Sequence, residues 1–227
     1  MRFVVAALAL SVAAIGCTDP AKDAPKAVVT EAAPAAEVAP AAAAPAAVDP
    51  AAAAAAPVAL PEGTRYAFSN ADSKVTFTGS KVTGSHDGVF NTFAGTVVVP
   101  EGKPELAAVT VEITLASAKT DSEKLDGHLQ SPDFFDVAAH PKATFTSTKV
   151  ERAADGKSTV TGNLTMKGQT KQISFPAVTT VEGDTVSATA EFAINRKDFN
   201  IVYAGKADDL IRDDVLVKLT IKAKKAV

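Results

Sequence analysis

Val160–Phe175 reads VTGNLTMKGQTKQISF. Val160, Gly162, Leu164 and Met166 occupy one phase, and Thr161, Asn163 and Thr165 the other. The alternation resumes with Ile173 and Phe175 after Lys167-Gly168-Gln169. Period-two alternation puts alternate side chains on opposite faces of a strand, and Lys-Gly is hairpin-turn chemistry. The stretch is therefore an antiparallel hairpin with one apolar face and one wet, Thr-rich face.

The same pattern recurs on both sides. Val75, Phe77 and Gly79 alternate with Thr76, Thr78 and Ser80, and Val109, Val111, Ile113 and Leu115 with Thr110, Glu112 and Thr114. Ala143, Phe145 and Ser147 share a face; so do Val186, Ala188, Ala190, Phe192 and Ile194, and Val215, Val217, Leu219 and Ile221. Turn residues separate these runs at Glu101-Gly102-Lys103-Pro104, Ala154-Asp155-Gly156-Lys157 and Glu182-Gly183-Asp184. Phe90 and Phe93 share a phase only if a bulge lies near Asn91–Thr92. Eight or nine consecutive antiparallel strands resolve their edges by closing. The chain is expected to be all-β, an antiparallel barrel over residues 64–227.

Its inward positions include Phe77, Val111, Ile113, Phe145, Leu164, Phe175, Ala190, Phe192, Ile194 and Leu219. An eight-stranded barrel is either filled by its side chains or holds one small ligand. The mixture of large and small inward residues leaves both outcomes open.

One stretch breaks the β pattern. Asp121–Phe145, DSEKLDGHLQSPDFFDVAAHPKATF, is a short helical insert. Thr120 or Ser122 caps its start, beside Glu123 and Asp126. Leu125 and Leu129 give it an apolar face. Ser131-Pro132 restarts a helical turn, and His140-Pro141 ends it. The insert either plugs one barrel end or sits at a cavity mouth. Its mouth or head-group candidates are His128, Phe134 and Phe135, with Arg196 from a later loop.

The N-terminus has a separate composition. Met1-Arg2 precedes an apolar run from Phe3 to Ile15. That run fits a signal peptide (residues 1–16) and is too short to span a bilayer. Ala14-Ile15-Gly16-Cys17 resembles the bacterial lipoprotein box, which implies cleavage before Cys17 and its lipidation. The sorting pattern of such proteins, with Thr18 after the cysteine, implies an outer-membrane anchor facing the periplasm. Cys17 is the single cysteine, so no internal disulfide exists. Residues 17–63 then form an Ala/Pro-rich tether. Its prolines cut the alanine runs below helical length, and it is expected to be disordered.

Chemistry is sparse. The formal net charge is −3, and no basic stripe marks a nucleic-acid partner. His86, His128 and His140 lack metal-ligand spacing. Ser85-His86-Asp87 cannot act as a triad, because strand neighbours face opposite ways. No phosphate loop, nucleophile elbow or Cys-His pair appears, so neither catalytic nor metal residues are assigned.

Several motifs in order do carry a resemblance. Asp126, His128-Leu129, Ser131, Asp133-Phe134-Phe135-Asp136, Pro141, Phe145 and Ser147 are followed by Gly162-x-Leu164-Thr165, Gly168 and Thr170. Asn195-Arg196-x-Asp198-Phe199 and Asp214-Val215 follow later. Over about residues 65–224 the chain resembles the YceI-like family of bacterial envelopes. That family usually has Gly where Asn200 stands. The resemblance implies an extended lipocalin-like barrel with a hydrophobic channel for a polyisoprenoid, such as an isoprenoid quinone or polyprenyl lipid, or for another long-chain amphiphile. It also implies a homodimer. The expected function is non-enzymatic binding or carriage of a lipid-like ligand. The alternative is a solid-cored structural or interaction barrel displayed on a tether.

Overall fold

A computed structural model describes residues 19–32, 62–101, 107–153 and 156–226. The signal segment, Cys17 and the Ala/Pro-rich residues 33–61 lie outside the described residues. In chain order the strands are β1 Val28–Glu31, β2 Thr64–Ser69, β3 Lys74–Lys81, β4 Gly84–Phe90, β5 Phe93–Val99, β6 Ala108–Thr114 and β7 Ala118–Thr120. They continue with β8 Lys142–Arg152, β9 Lys157–Met166, β10 Gln169–Glu182, β11 Thr185–Asn195, β12 Gly205–Lys206, β13 Asp209–Leu210 and β14 Asp214–Lys225. One helix, α1, spans Glu123–Gln130.

Eight strands close an antiparallel barrel in the order β2-β5-β6-β8-β9-β10-β11-β14, with β14 returning to β2. The β9–β10 hairpin turns on Lys167 (φ 48) and Gly168 (φ 71). Positive φ at both central residues is the tight turn whose twist matches paired strands. Thr165 pairs with Thr170 and Leu164 with Lys171.

Three strands of the barrel kink at one level. β2 and β3 both run along β14, with Ala67 opposite Lys224 and Thr78 opposite Leu216, and a turn at 70–73 separates them. β4 and β5 break at Asn91–Thr92, the expected bulge, which leaves Phe90 and Phe93 both buried. A 3₁₀ turn at Leu115–Ser117 divides β6 from β7. The breaks are tied together: the Asn91 N–H donates to the Ser117 carbonyl and the Thr114 N–H to the Thr92 carbonyl. Above this level β3, β4 and β7 peel away as a second storey.

Helix α1 closes that storey. Leu115 and Phe199 are fully buried at this end of the core, with Leu129, Phe134 and Phe135 nearly so. Phe135 packs on Phe90, their ring centres 6.0 Å apart. Ser122 is the N-cap, without a side-chain capping bond. Asp126 supplies the polar anchor instead, accepting from the Thr120 N–H (2.7 Å) and hydroxyl (2.8 Å). Ser131 ends the helix as its C-cap and does not start a new one.

The segment expected to be disordered tether differs from that expectation over residues 19–32. β10 and β11 pair only between Val178 and Glu182, then diverge. Residues 25–31 fill the gap. Val28–Glu31 pairs antiparallel with Ser174–Lys171. On the other side the Ala27 N–H donates to the Ala193 carbonyl, and the Ala193 N–H to the Pro25 carbonyl. Ala27 and Val29 pack on the main core, while Ala21 covers Ala193 and Leu216 from outside. Backbone groups along diverging strands need partners, and this segment provides them.

Candidate functional site

The barrel is hollow. A cavity of about 230 Å³ runs through it. Its wall is apolar along nearly the whole length, from Leu115, Ala143 and Met166 near the insert to Val150 and Val181 at the other end. Along β10 alone the lining extends from Ile173 to Val181. At about 3.3 Å per residue on tilted strands, that is on the order of 20 Å along the barrel axis. The volume falls just below the roughly 300–1,000 Å³ of pockets for drug-sized ligands. The cavity is therefore long and narrow, and suits one slender chain better than a fused-ring body.

Nine of the inward residues read from the sequence line it: Val111, Ile113, Phe145, Leu164, Phe175, Ala190, Phe192, Ile194 and Leu219. Phe77 does not. It lies in the second storey, 5.2 Å from the ring of Phe90 and over Gly88. Phe175 and Phe192 stack face to face at 4.2 Å where β10 and β11 separate, and Phe145 meets Phe175 at 5.8 Å. This aromatic belt lines the insert half of the channel, one inward position from Ala143, Ile173 and Ile194.

The two ends differ. Near the insert the lining residues Leu115, Ala143, Met166 and Ile173 are all buried. At the opposite end Val181 is 42% exposed, Arg152 is exposed and Thr179 half-buried. The mouth lies there. Its rim is polar: the Arg152 guanidinium donates to the Thr179 carbonyl (3.4 Å), and the Ser158 and Thr179 hydroxyls share a bond of 2.8 Å. Sequence reading missed this rim. Its only signal was a charged and a hydroxyl residue, Arg152 and Ser158, placed in phase with Val150 and Val160.

The insert is the closed end, so the four mouth candidates are corrected. None of them lines the cavity. Phe134 and Phe135 are core residues. His128 meets the rings of Phe134 (4.8 Å) and Tyr203 (4.9 Å), and its Nε2 lies 3.1 Å from Asp133. Arg196 is buried as a loop clamp. Its guanidinium donates to the carbonyls of Ile201 (2.6 Å), Arg212 (3.0 Å) and Ile211 (3.3 Å), and approaches Asp213 at 3.4 Å. Burial pushes its pKa down, and Asp213 pushes it back up. An always-charged guanidinium with fixed donors suits a site of converging carbonyls.

No group of three or more His, Cys, Asp or Glu able to hold a metal occurs among the described residues. His86 pairs with Asp121 at 2.7 Å on the exposed surface, away from the cavity. The arrangement is an apolar channel, closed at the insert, with polar groups at its one mouth.

Comparison with known proteins fits this geometry. The YceI-like domain matches residues 66–223. A UPF0312 protein of Pectobacterium atrosepticum is 40% identical over 120 residues, covering 50% of this chain and 62% of that protein. Protein YceI of Salmonella arizonae is 39% identical over 120 residues with the same coverage. The chain thus spans under two thirds of the length of these relatives. Among solved structures, Burkholderia cenocepacia BcnA superposes with a TM-score of 0.62 at 26% identity, covering 68% of this chain and 98% of that one. A polyisoprenoid binding domain from Saccharophagus degradans shares the fold, with a TM-score of 0.58 at 17% identity over 73% of this chain and 100% of its own.

Proposed function

This chain belongs to the YceI-like family, and from that premise we propose that its barrel binds and carries a polyisoprenoid or other long-chain amphiphile in the bacterial envelope. The observation that carries the reading is the narrow apolar cavity, closed at the insert and polar only at its mouth. A solved domain of the same fold is described as polyisoprenoid-binding, which supports the ligand class. The hollow interior disfavours the solid-cored alternative.

Carriage needs no covalent step. The apolar tail enters at Arg152, Ser158 and Thr179 and passes the Phe175–Phe192 stack toward Leu115 and Met166. Each buried CH₂ contributes about 0.8 kcal/mol. Ten of them supply roughly 8 kcal/mol, which only offsets an association cost of roughly 4–15 kcal/mol. Short tails are therefore held weakly and long ones retained. Arg152 attracts an anionic or carbonyl-bearing head, such as a phosphate or a quinone ring, at the rim. Cys17 is the lipid anchor, and the protein sits on the periplasmic face of the outer membrane.

The test is uptake of a fluorescent long-chain prenyl probe. Ala190→Phe fills the channel beside the aromatic belt and abolishes uptake without unfolding the barrel. Uptake equal to wild type in a folded Ala190→Phe protein would contradict the assignment of the channel.

A further inference from the structure

The order of segments raises a question of orientation. If Cys17 carries the anchor, the long Ala/Pro stretch is not what separates barrel from membrane. Residues 19–31 come first, and they are docked on the barrel. Asp19 approaches Arg212 at 3.5 Å, Lys26 pairs with Asp214 at 2.6 Å and Glu31 with Lys171 at 2.5 Å. Asp214 begins β14 opposite Asn195, at the insert end. Cys17 is two residues before Asp19 in the chain, and two residues reach at most about 7 Å.

Three exposed apolar side chains lie near this point, set among Lys81, Thr83, Lys206 and Asp209. Val82, Val202 and Leu210 are 52%, 59% and 49% exposed, three of the six large hydrophobics that stand out from the surface among the described residues. They sit on adjoining loops at the insert end. The Val82 N–H donates to the Leu210 carbonyl, the Ile211 N–H to the Ala204 carbonyl, and the Arg212 N–H to the Ser80 carbonyl. Arg212, the partner of Asp19, is two residues from Leu210. Apolar loop tips next to a lipid-bearing residue fit the boundary between head groups and acyl chains.

We infer that the docked N-terminal segment fixes the barrel with its insert end on the bilayer, through Val82, Val202 and Leu210, and with its cavity mouth turned away from the membrane that anchors it. The inference rests on the reading of Cys17 as the anchor. It gives carriage a direction: the barrel receives its amphiphile from beyond its own membrane. Undocking of residues 19–31 adds the stretch up to residue 63 to the tether and frees the barrel to turn.

The chain contains no Trp, so one introduced Trp reports depth. The mature chain from Cys17 onward is coupled through that thiol to a maleimide lipid. The vesicles are phosphatidylethanolamine and phosphatidylglycerol with brominated acyl chains. Leu210→Trp is expected to lose most of its emission to the bromines, while Glu182→Trp at the mouth end keeps its own. Adding Val29→Asp, or Ala27→Pro to remove the N–H that bonds Ala193, is expected to erase the difference while the protein stays on the vesicle. Equal quenching at the two ends with the segment intact, or stronger quenching at Glu182→Trp, would overturn the orientation. The anchor reading is judged separately: absence of acyl mass on Cys17 from native membranes would remove that reading and leave the quenching result as it stands.

Discussion

At the residue scale, three glycines show how the aromatic content is accommodated. A Cβ on Gly88, Gly95 or Gly162 would lie 2.2–2.5 Å from the ring of Phe77, Phe68 or Phe145 respectively. At Gly162 it would also meet the Thr146 carbonyl oxygen at 2.5 Å, and that oxygen belongs to the backbone and cannot swing aside. Gly162→Val is therefore expected to cost about 2–3 kcal/mol by overpacking. In a domain of this size that lowers Tm by roughly 5–10 °C, readable by thermal circular dichroism; an unchanged Tm would contradict the packing. Asn200 has φ 57, a left-handed position that Asn and Gly tolerate. Asn200→Gly should leave stability within about 0.5 kcal/mol, whereas Asn200→Val should cost about 1–2 kcal/mol. Denaturant midpoints distinguish the two.

Asp126 gives a pH signature at the same scale. The Thr120 hydroxyl, then the Thr120 N–H and Lys119, hold its carboxyl below the ordinary 3.8 despite burial. A depressed folded-state value contributes stability that is present above about pH 4 and is lost as the pH falls through the folded value. Asp126→Asn should thus lower the urea midpoint at neutral pH, and the gap to wild type should close as the pH falls through the depressed folded value, below the ordinary 3.8. A gap constant with pH would show that the carboxylate charge is irrelevant there. The inward phase of these residues was legible in the sequence because a strand has only two faces. Phe77 was misplaced because β3 leaves the barrel above the kink, where the same phase faces Phe90 and Gly88 and not the cavity.

At the scale of elements, the insert and the N-terminal strand each complete something the barrel strands leave open. The insert was legible as a break in alternation, and its family motif marked it. Its role was not legible, because plugging an end and forming a mouth use the same residue types. The tertiary contacts of Phe135 with Phe90 and of Asp126 with Thr120 decide it. The N-terminal strand was not legible at all. Val28-Val29-Thr30 is three β-branched residues inside an Ala-rich run, and its partner edge exists only because β10 and β11 diverge. Its ion pairs are mostly exposed and contribute little; the ladder and the burial of Ala27 and Val29 hold it. Removing residues 19–32 is expected to leave the barrel folded, with faster amide hydrogen exchange at Lys171–Ser174 and Ala193. Unchanged exchange there would mean the strand is not part of the wall.

At the scale of the molecule, the architecture was legible and the interior was not. Eight strands with one apolar face each lead to closure by the need to cover edges. Whether the lumen stays open depends on how large and small residues meet across it. Ala188 and Ala190 lie beside the Phe175–Phe192 stack, and that juxtaposition belongs to the folded barrel alone. The mouth likewise depends on strand order, which brings Arg152, Ser158 and Thr179 from three strands to one rim. The central claim is that this lumen holds an amphiphile. Its most direct test is native mass spectrometry of the detergent-free protein from its host membranes, with an organic extract of the same sample. A long-chain amphiphile bound one per barrel, and missing from Ala190→Phe, is the predicted result. Protein of bare chain mass, apart from acylation of Cys17, with no lipid in the extract would contradict it.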